Sequence, residues 1–395
     1  MMQADMNIGM LGHVDHGKTT LTRALTGKWT DTHSEEIKRG ISIRLGYADC
    51  YLYQDEKGKF YANEEEAKKA GLRPKLVRKV SIVDAPGHET LMTTVIAATS
   101  ILDGVIFLIA ANEPCPQPQT AEHLLVLNAT GIKNIIVVQT KIDLVTKEKA
   151  LENYRQIKAF LKGSAAESAP IIPVSASSGT NIEVLLSKIN EVMSRPKREK
   201  GAQLRLYVSR SFDVNRPGTG IKELKGGVLG GSIVQGELKI GDEIEIRPGT
   251  ARKEGARPSP VLCKVQSMRQ ENTDLDSALP GGLIAIATTL DPSLTKADAL
   301  VGSVVGRKGE VPEPVDTFQV KWTMLERPDN TPLKENEPIV VNVHTSTGVG
   351  LIAKLAKGLA TIRLKKPVVV YKDMTVALSR RFGQRWRLSA WGKVV

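Results

Sequence analysis

The first half of the chain alternates short apolar runs, which predict strands, with segments whose apolar residues recur at helical spacing. Candidate strands are Asn7–Leu11, Lys79–Asp84, Gly104–Ala110, Asn134–Gln139 and Ile171–Val174. Candidate helices are Lys18–Thr26, Glu89–Leu102, Thr120–Ala129, Lys147–Leu161 and Asn181–Met193. This alternation predicts a mostly parallel sheet covered on both faces, with the chemistry at the carboxyl ends of its strands.

The pattern changes after the charged segment Ser194–Gly201, where short alternating strands with frequent glycines replace helical spacing. The second region has candidate strands at Leu204–Ser209, Gly227–Gln235, Glu243–Arg247, Val261–Met268 and Gly282–Thr288. A third region has them at Thr317–Met324, Pro338–Thr345, Pro367–Tyr371 and Trp386–Leu388. We expect an α/β domain over residues 1–200, followed by two all-β barrel domains over residues 201–308 and 309–395.

The loop after the first strand, Gly12–Thr19, fits the phosphate-binding pattern G-x-x-x-x-G-K-[ST]. Its glycines let backbone N–H groups face a phosphate, and the helix N-terminus adds a positive dipole end. Lys18 is placed to reach the β- and γ-phosphates, and the Thr19 hydroxyl to ligate Mg²⁺. The predicted nucleotide contacts of this P-loop are Asp15, His16, Gly17, Lys18, Thr19 and Thr20.

The strand Lys79–Asp84 ends in a second motif, D-x-x-G. Asp84 can hold a water bound to Mg²⁺, and Gly87 can turn its N–H toward a γ-phosphate. His88 follows directly and is the candidate for orienting the attacking water. The alternative for His88 is an exposed loop histidine with no catalytic role.

Two further strand ends predict a guanine base. Thr140-Lys141-Ile142-Asp143 nearly matches N-K-x-D, in which the carboxylate accepts two hydrogen bonds from guanine and the Lys stem lies over the base. Thr140 stands where Asn is usual, which predicts the loss of a hydrogen bond between the base-reading and phosphate loops. The next loop is Ser175-Ala176-Ser177, where the Ala176 N–H can donate to guanine O6. The four motifs together indicate a P-loop GTPase domain that binds GTP or GDP with Mg²⁺.

The composition of the chain bears on its binding partner and its cellular compartment. The net charge of +12 over 395 residues favours a polyanionic partner such as RNA, the alternative being a basic protein without one. The three cysteines lie far apart with no C-x-x-C pair, and no apolar run reaches about 18 residues. We therefore expect a cytoplasmic protein with no membrane association.

The residues of the first two motifs, G-H-V-D-H-G-K-T and D-A-P-G-H, resemble those of translational GTPases such as elongation factors Tu and 1A. Further segments resemble the gamma subunit of archaeal and eukaryotic translation initiation factor 2, over nearly the whole chain. They are the first-switch match Lys38–Ala48, Ala110–Thr120, Arg210–Thr219, Gly226–Ser232, Leu290–Asp298 and Arg385–Arg387.

The resemblance implies a GTPase domain and two β-barrels, with weak intrinsic GTP hydrolysis. It implies that the GTP form binds methionylated initiator tRNA and, together with alpha and beta subunits, delivers it to the small ribosomal subunit. By position, it implies that Ser42, where Thr is usual, ligates Mg²⁺. It also implies that Asp15 and the Gly40 carbonyl line a second Mg²⁺ position.

The family often carries two C-x-x-C pairs between its switches that bind zinc, but here Cys50 stands alone. We therefore predict no zinc. The insert is predicted to form a hairpin, from Tyr51–Tyr53 and Phe60–Tyr61, and a short helix, Asn63–Ala70, stopped by Gly71.

Basic residues crowd the C-terminal end, where Asp373 is the only acid after residue 360. They are candidates for RNA contact, the alternative being a solvated barrel face with Trp386 in the core. They are Arg363, Lys365, Lys366, Lys372, Arg380, Arg381, Arg385, Arg387 and Lys393.

Three other functions stay open at this point. One is a selenocysteine-specific elongation factor, which usually carries a further C-terminal domain. Another is the regulatory GTPase subunit of a sulfate adenylyltransferase, which would not bind RNA. The third is a scaffold that binds GTP without hydrolysing it.

Overall fold

The structure is a computed structural model that describes residues 2–30, 45–69, 73–88, 91–196, 201–251, 256–327, 330–383 and 385–395. The described residues divide into two compact units, one of residues 2–196 and one of residues 201–395. Within these ranges, no helix is long and apolar enough to cross a lipid bilayer.

The first unit is built on a sheet of mostly parallel strands. Its strands are β1 (Asn7–Gly12), β2 (Gly46–Gln54), β3 (Phe60–Tyr61), β4 (Lys75–Asp84), β5 (Gly104–Ala110), β6 (Asn134–Thr140) and β7 (Ile171–Pro173). They lie in the order β3–β2–β4–β1–β5–β6–β7, in which β2 pairs antiparallel with both β3 and β4 and the other neighbours pair parallel. Every residue of β1 and β5 is buried, as expected for strands covered on both faces. The predicted parallel sheet is confirmed.

Helices connect these strands and cover the sheet. They are α1 (Lys18–Thr26), α2 (Glu64–Lys69), α3 (Met92–Thr99), α4 (Pro118–Thr130), α5 (Lys147–Leu161) and α6 (Ile182–Val192). The bounds of α1 and α5 are those predicted. The third helix ends three residues earlier than the predicted Leu102, because the hydroxyls of Thr99 and Ser100 donate back to the carbonyls of Ile96 and Ala97.

The insert between β2 and β4 has the predicted form. The strands β2 and β3 make a hairpin, and Asp55 in its turn accepts hydrogen bonds from the N–H groups of Lys57 and Lys59. The helix α2 follows, and the Asn63 side chain accepts the Glu66 N–H at its start. Ala70 and Gly71, predicted to end this helix, lie outside the described residues.

A buried arginine fastens the end of the first unit to its beginning. Arg78 on β4 is 1% exposed, and its Nη1 donates to the carbonyl oxygens of Met193 (2.8 Å) and Ile189 (3.3 Å). Its Nε pairs with Asp5 at 3.0 Å. Removing one partner of a buried charge costs about 3–5 kcal/mol, so this cluster fixes the position of α6.

The second unit consists of two closed antiparallel barrels, as predicted. The first contains β8 (Arg205–Phe212), β9 (Val228–Gln235), β10 (Leu238–Lys239), β11 (Glu243–Thr250), β12 (Ser259–Gln270), β13 (Thr273–Leu275), β14 (Ser277–Ala278), β15 (Ile284–Thr288) and β16 (Val304–Arg307). The order β11–β16–β8–β9–β15–β12 closes through a β11–β12 pairing. The second contains β17 (Val315–Met324), β18 (Pro338–Val343), β19 (Ser346–Ala356), β20 (Leu359–Val368), β21 (Thr375–Phe382) and β22 (Arg385–Val394). It closes in the order β17–β20–β19–β18–β21–β22.

The two barrels contact each other through aromatic and polar side chains. The rings of Tyr207 and His344 stack with their centroids 4.9 Å apart, and the Thr345 hydroxyl donates to the Val208 carbonyl at 2.8 Å. The guanidinium of Arg205 lies 3.5 Å from the Tyr371 ring centroid. Burial lowers the pKa of His344 to about 3, so this histidine is neutral in its stack.

Two expectations for the last region were wrong. The predicted strand Pro367–Tyr371 overlaps β20 (Leu359–Val368) only at Pro367 and Val368, and residues 369–371 are not in a strand. The rest of β20 was not predicted, because a strand with one solvated face alternates buried and basic residues and shows no apolar run. Arg380 is buried, since its Nε pairs with Glu337 at 2.6 Å and its Nη1 donates to the Thr331 carbonyl. It is therefore a structural arginine and not a surface candidate for RNA.

Candidate guanine nucleotide site

The predicted site residues follow the carboxyl ends of parallel strands, which place them at one edge of the sheet. The P-loop follows β1, Asp84 ends β4, Thr140 ends β6, and Ser175 comes soon after β7. This edge is where open α/β sheets bind their ligands. The fold thus gathers the four motifs of the first unit. Gly40 and Ser42 lie outside the described residues, so their predicted roles stay predictions.

The P-loop has the backbone of an anion site. Asp15 and Gly17 both adopt left-handed conformations, with φ of 61° and 83°. The helix α1 begins after Gly17 with no side-chain cap, and its N-terminus is the positive end of the helix dipole, where an anion is stabilised. The Lys18 ammonium donates to the carbonyl oxygens of Gly12 (3.0 Å) and His13 (2.7 Å). The lysine therefore lies back over the loop that it is predicted to serve.

The positive charge of this loop comes from Lys18 and the backbone, not from its histidines. Burial lowers the pKa of His13, and it lowers the pKa of His16 to about 4. The His16 ring bonds to the Leu108 carbonyl through Nδ1 at 2.9 Å, which requires that Nδ1 carry the proton. Both histidines are neutral near pH 7.

Gly87 lies directly against the P-loop. A Cβ built there would sit 2.3 Å from Lys18 Nζ, 3.0 Å from Val14 N and 3.1 Å from Gly12 O. A side chain at this position would displace the lysine ammonium from its carbonyl partners. The D-x-x-G segment and the P-loop are thus in contact, as a shared γ-phosphate site requires. His88, the next residue, is half-buried, and its carbonyl accepts the Leu91 N–H.

The donor set at the end of β4 fits a magnesium ion. Mg²⁺ prefers hard oxygen ligands and keeps several waters. Asp84 offers a carboxylate that is 1% exposed, and Thr19 offers a hydroxyl at the start of α1. The Thr30 hydroxyl donates to Asp84 Oδ2 at 2.6 Å. Among the residues that the structure describes, no group of three or more His, Cys, Asp or Glu side chains could hold a metal ion.

The base-reading residues come together on two adjacent loops. Lys141 has a left-handed φ of 57° and starts a 3₁₀ turn, Ile142–Leu144, that carries the exposed Asp143. The Ser177 hydroxyl donates to Asp143 Oδ2 at 3.2 Å and lies 3.0 Å from the Ser175 hydroxyl. Hydrogen bonding by Ser175, and further by Ser177, lowers the pKa of Asp143. The carboxylate is therefore ionised and positioned beside the loop that contains Ala176.

Thr140 joins the base-reading loop to the P-loop, although a Thr in place of the usual Asn was expected to lose this connection. Its hydroxyl is buried and donates to the His16 carbonyl at 2.8 Å. A β-branched hydroxyl at this strand end reaches as far as the loop requires, so the phosphate and base-reading loops remain joined. The predicted loss of this hydrogen bond was wrong.

Residues of α4 and the loop before it hold the P-loop from behind, and the sequence did not point to them. His123 Nδ1 accepts the Gly12 N–H at 2.8 Å, and Gln119 Oε1 accepts the Val14 N–H at 3.3 Å. The Glu113 carboxylate lies 3.4 Å from His16 Nε2, which carries no proton in this neutral ring, so this approach is not a hydrogen bond. Burial lowers the pKa of His123 to about 3, so it accepts as a neutral ring. The only signal for this role is a histidine on the apolar face of a helix, which is more often a core residue.

Comparison with known protein domains assigns most of the chain. Residues 3–195 match the family described as elongation factor Tu GTP binding domain. Residues 226–306 match elongation factor Tu domain 2, and residues 317–394 match initiation factor eIF2 gamma, C terminal.

Three archaeal relatives match end to end, each described as translation initiation factor 2 subunit gamma. The protein of Methanococcus maripaludis strain C6 is 52% identical over 100% of this chain and 99% of its own. The proteins of Methanocaldococcus jannaschii and Pyrococcus horikoshii are 51% and 50% identical, over 99% of this chain and 98% and 97% of theirs. This chain belongs to the translation initiation factor 2 gamma subunit family.

Solved structures show the same fold in other translational GTPases. A bacterial selenocysteine-specific elongation factor superposes with a TM-score of 0.77 at 29% identity, over 99% of this chain and 58% of that one. The elongation factor SelB of Methanococcus maripaludis, solved with the GTP analogue GppNHp, gives 0.76 at 22% identity, over 100% and 79%. This chain spans just over half of the first of these proteins.

Family membership confirms the main prediction from the motifs. As a gamma subunit family member with an elongation factor Tu GTP binding domain, this chain is a GTP-binding initiation factor subunit and a translational GTPase. The alternatives of a selenocysteine-specific factor and of a sulfate adenylyltransferase subunit are not supported.

Proposed function

We propose that this gamma subunit family member, in its GTP form, carries methionylated initiator tRNA to the small ribosomal subunit and hydrolyses GTP to release it. It does so in a complex with alpha and beta subunits, in the cytoplasm and without a membrane. The observation that most strongly supports this proposal is the 50–52% identity to gamma subunits along the whole chain. We further propose domain boundaries at residues 1–200, 201–308 and 309–395.

In the proposed site, the guanine lies between Lys141 and the 175–177 loop. The ionised Asp143 accepts from the guanine ring N–H and exocyclic amine, and the Ala176 N–H donates to O6. Adenine lacks that amine and would leave the carboxylate short of a partner. The placement of the Asp143 carboxylate beside the 175–177 loop, where the Ser177 hydroxyl donates to its Oδ2, supports this choice of base.

The phosphates lie on the N–H groups of Asp15–Thr20, with Lys18 between the β- and γ-phosphates. Thr19 and Ser42 are the proposed direct ligands of Mg²⁺, and Asp84 holds one of its waters. Asp15 and the Gly40 carbonyl are proposed to line a second Mg²⁺ position. A bound Mg²⁺ neutralises charge on the β- and γ-oxygens. No zinc is proposed for this chain.

His88 is the proposed positioning residue for the attacking water, beside the Gly87 N–H that faces the γ-phosphate. Single-turnover GTP hydrolysis by wild type and His88→Ala tests this role. Removal of a positioned water-orienting group lowers such rates by about 10²-fold or more. Equal rates in the two proteins would exclude the role of His88.

The carrier function is tested by tRNA binding at two salt concentrations, with and without the alpha and beta subunits. The GTP-analogue form is expected to prefer methionylated initiator tRNA over elongator methionyl-tRNA, and the GDP form is not. Asp143→Asn in the same complex is the matched control, because it removes nucleotide recognition and leaves the barrels unchanged. Equal and steeply salt-dependent binding of every tRNA would reduce the interaction to nonspecific electrostatics.

A further inference from the structure

Thr30 makes a contact with Asp84 that none of the sequence motifs contains. Its hydroxyl donates to Asp84 Oδ2 at 2.6 Å, which is short, as expected for a hydroxyl bound to a carboxylate. Asp84 is 1% exposed, so its negative charge is stabilised by protein donors and by whatever binds in the site. The Thr30 hydroxyl is one of those donors.

Thr30 is also held in place from its other side. A Cβ built on Gly46 would lie 2.6 Å from Thr30 Cβ and 3.3 Å from its hydroxyl oxygen, so Thr30 packs against bare backbone. Gly46 begins β2 and is paired with Asp84 in the β2–β4 register. The threonine is therefore fixed between the carboxylate and the strand that flanks it.

We propose that Thr30 is a positioning residue for the magnesium shell, and this inference rests on the nucleotide site proposed above. A carboxylate has about four acceptor positions, so accepting from Thr30 leaves room for a metal-bound water. The hydroxyl fixes the rotation of the Asp84 carboxylate and directs its remaining acceptor positions. Outer partners of this kind commonly change metal affinity by about 10- to 100-fold.

The same contact joins the magnesium site to a distant part of the sequence. Thr30 precedes Lys38–Ala48, the segment that matches the first switch of the family. Through this hydroxyl, the carboxylate at the end of β4 is oriented by the chain segment that leads out of α1.

The experiment measures the dissociation rate of a fluorescent GDP from the full-length chain as Mg²⁺ is titrated. We compare wild type with Thr30→Val, which is isosteric but cannot donate, and Thr30→Ser, which keeps the hydroxyl. Thr30→Val is expected to need about 10-fold more Mg²⁺ for half-maximal slowing, and Thr30→Ser to follow wild type. With Mg²⁺ chelated, all three proteins are expected to release GDP at the same rate.

Thr30→Ala serves as a second variant, since it lacks both the hydroxyl and the methyl that packs on Gly46. It is expected to show the same Mg²⁺ shift as Thr30→Val. Unchanged Mg²⁺ dependence in both variants, or a shift to lower Mg²⁺, would overturn the role of Thr30 while leaving the nucleotide site intact. GDP release by wild type that does not respond to Mg²⁺ would overturn the proposed magnesium position, and failure of wild type to bind GDP would overturn the proposed nucleotide site itself.

Discussion

The loops that we propose bind the phosphates and the base of one nucleotide are held by different kinds of contact. The P-loop backbone is fixed by side chains from α4, with the buried His123 on the Gly12 N–H and the half-buried Gln119 on the Val14 N–H. The base-reading loop carries an exposed Asp143 that is held by the hydroxyl of Ser177 on the neighbouring loop. The phosphate end is therefore part of the domain core, whereas the base end is assembled at the surface.

This difference predicts how substitutions behave. A change at the base end removes a contact to the ligand and leaves the folded domain as stable as before. A change at the phosphate end alters a buried network, so it affects both folding and binding. The four predictions below separate these two behaviours.

The largest effect is expected for Asp143→Asn. The change removes two charge-assisted hydrogen bonds to guanine, so GDP affinity falls by about 10³-fold, measured by calorimetry. The neutral amide instead donates to a carbonyl, so affinity for a xanthosine nucleotide rises. Unfolding of the nucleotide-free chain is expected to match wild type. GDP affinity equal to that of wild type would show that Asp143 does not read the base.

The next effect is expected for Gly87→Ala. Because the added Cβ would meet Lys18 Nζ and crowd the N of Val14, the ammonium must leave its two carbonyl partners. Loss of one charge-assisted contact to the phosphates weakens nucleotide binding by about 10- to 100-fold. Gly220→Ala, at a position without a left-handed φ where the added Cβ has no neighbour closer than 3.9 Å, is the matched control. Equal loss in both variants would contradict the crowding explanation.

The buried histidines make the first unit sensitive to acid. Burial lowers the folded-state pKa of His123 to about 3 and that of His16 to about 4, from the ordinary 6.5. Between the folded-state pKa values and 6.5, the unfolded chain binds more protons than the folded one. The free energy of unfolding is therefore at its full value above pH 6.5 and falls as the pH drops below it. The slope reaches about 1.4 kcal/mol per pH unit for each group, or tenfold in the unfolding equilibrium.

Hydrogen exchange of peptides from residues 2–196, at about pH 5 and about pH 7, measures this slope. His123→Asn keeps an acceptor near the Gly12 N–H but does not titrate. It is expected to remove the His123 share of the slope and leave that of His16. A slope as steep as in wild type would mean that His123 is not the group responsible.

The smallest effect is expected for Thr140→Val, which lies between the two regions. The isosteric change removes the hydrogen bond to the His16 carbonyl, worth about 0.5–1.5 kcal/mol, so GDP affinity falls by about 2- to 10-fold. Thr140→Ser, which keeps the hydroxyl, is the matched control. If Thr140→Val bound GDP like wild type, the connection between the two loops would have no part in binding.

The sequence predicted residues that are recognised by type and local spacing. Gly17, Lys18, Asp84 and Asp143 each stand at a fixed offset from a strand end, so the chemistry and its place on the sheet edge could be inferred together. The same reasoning located the parallel sheet and the closed barrels, because their periodicities differ.

Partners that meet only through tertiary packing could not be predicted. His123 and Gly12 are 111 residues apart, and nothing near either one signals the contact. From the sequence, Thr140 was expected to lose a hydrogen bond because it lacks the amide of Asn. In the structure its hydroxyl donates to the His16 carbonyl. The strand β19 was missed because its outward residues include Thr347, Val349 and Lys354, a mixture without a clear period.

The cluster around Arg78 sets a minimum length for the GTPase domain as a separate fragment. The carbonyl oxygens of Ile189 and Met193 complete the hydrogen bonding of this guanidinium, and Asp5 completes its charge pairing. A fragment that stops before Met193, or that begins after Asp5, would leave a cation in the interior with too few acceptors. Limited proteolysis should accordingly spare both termini of this domain longer than its surface loops, and designers of shortened versions should keep residues 5 to 193 together.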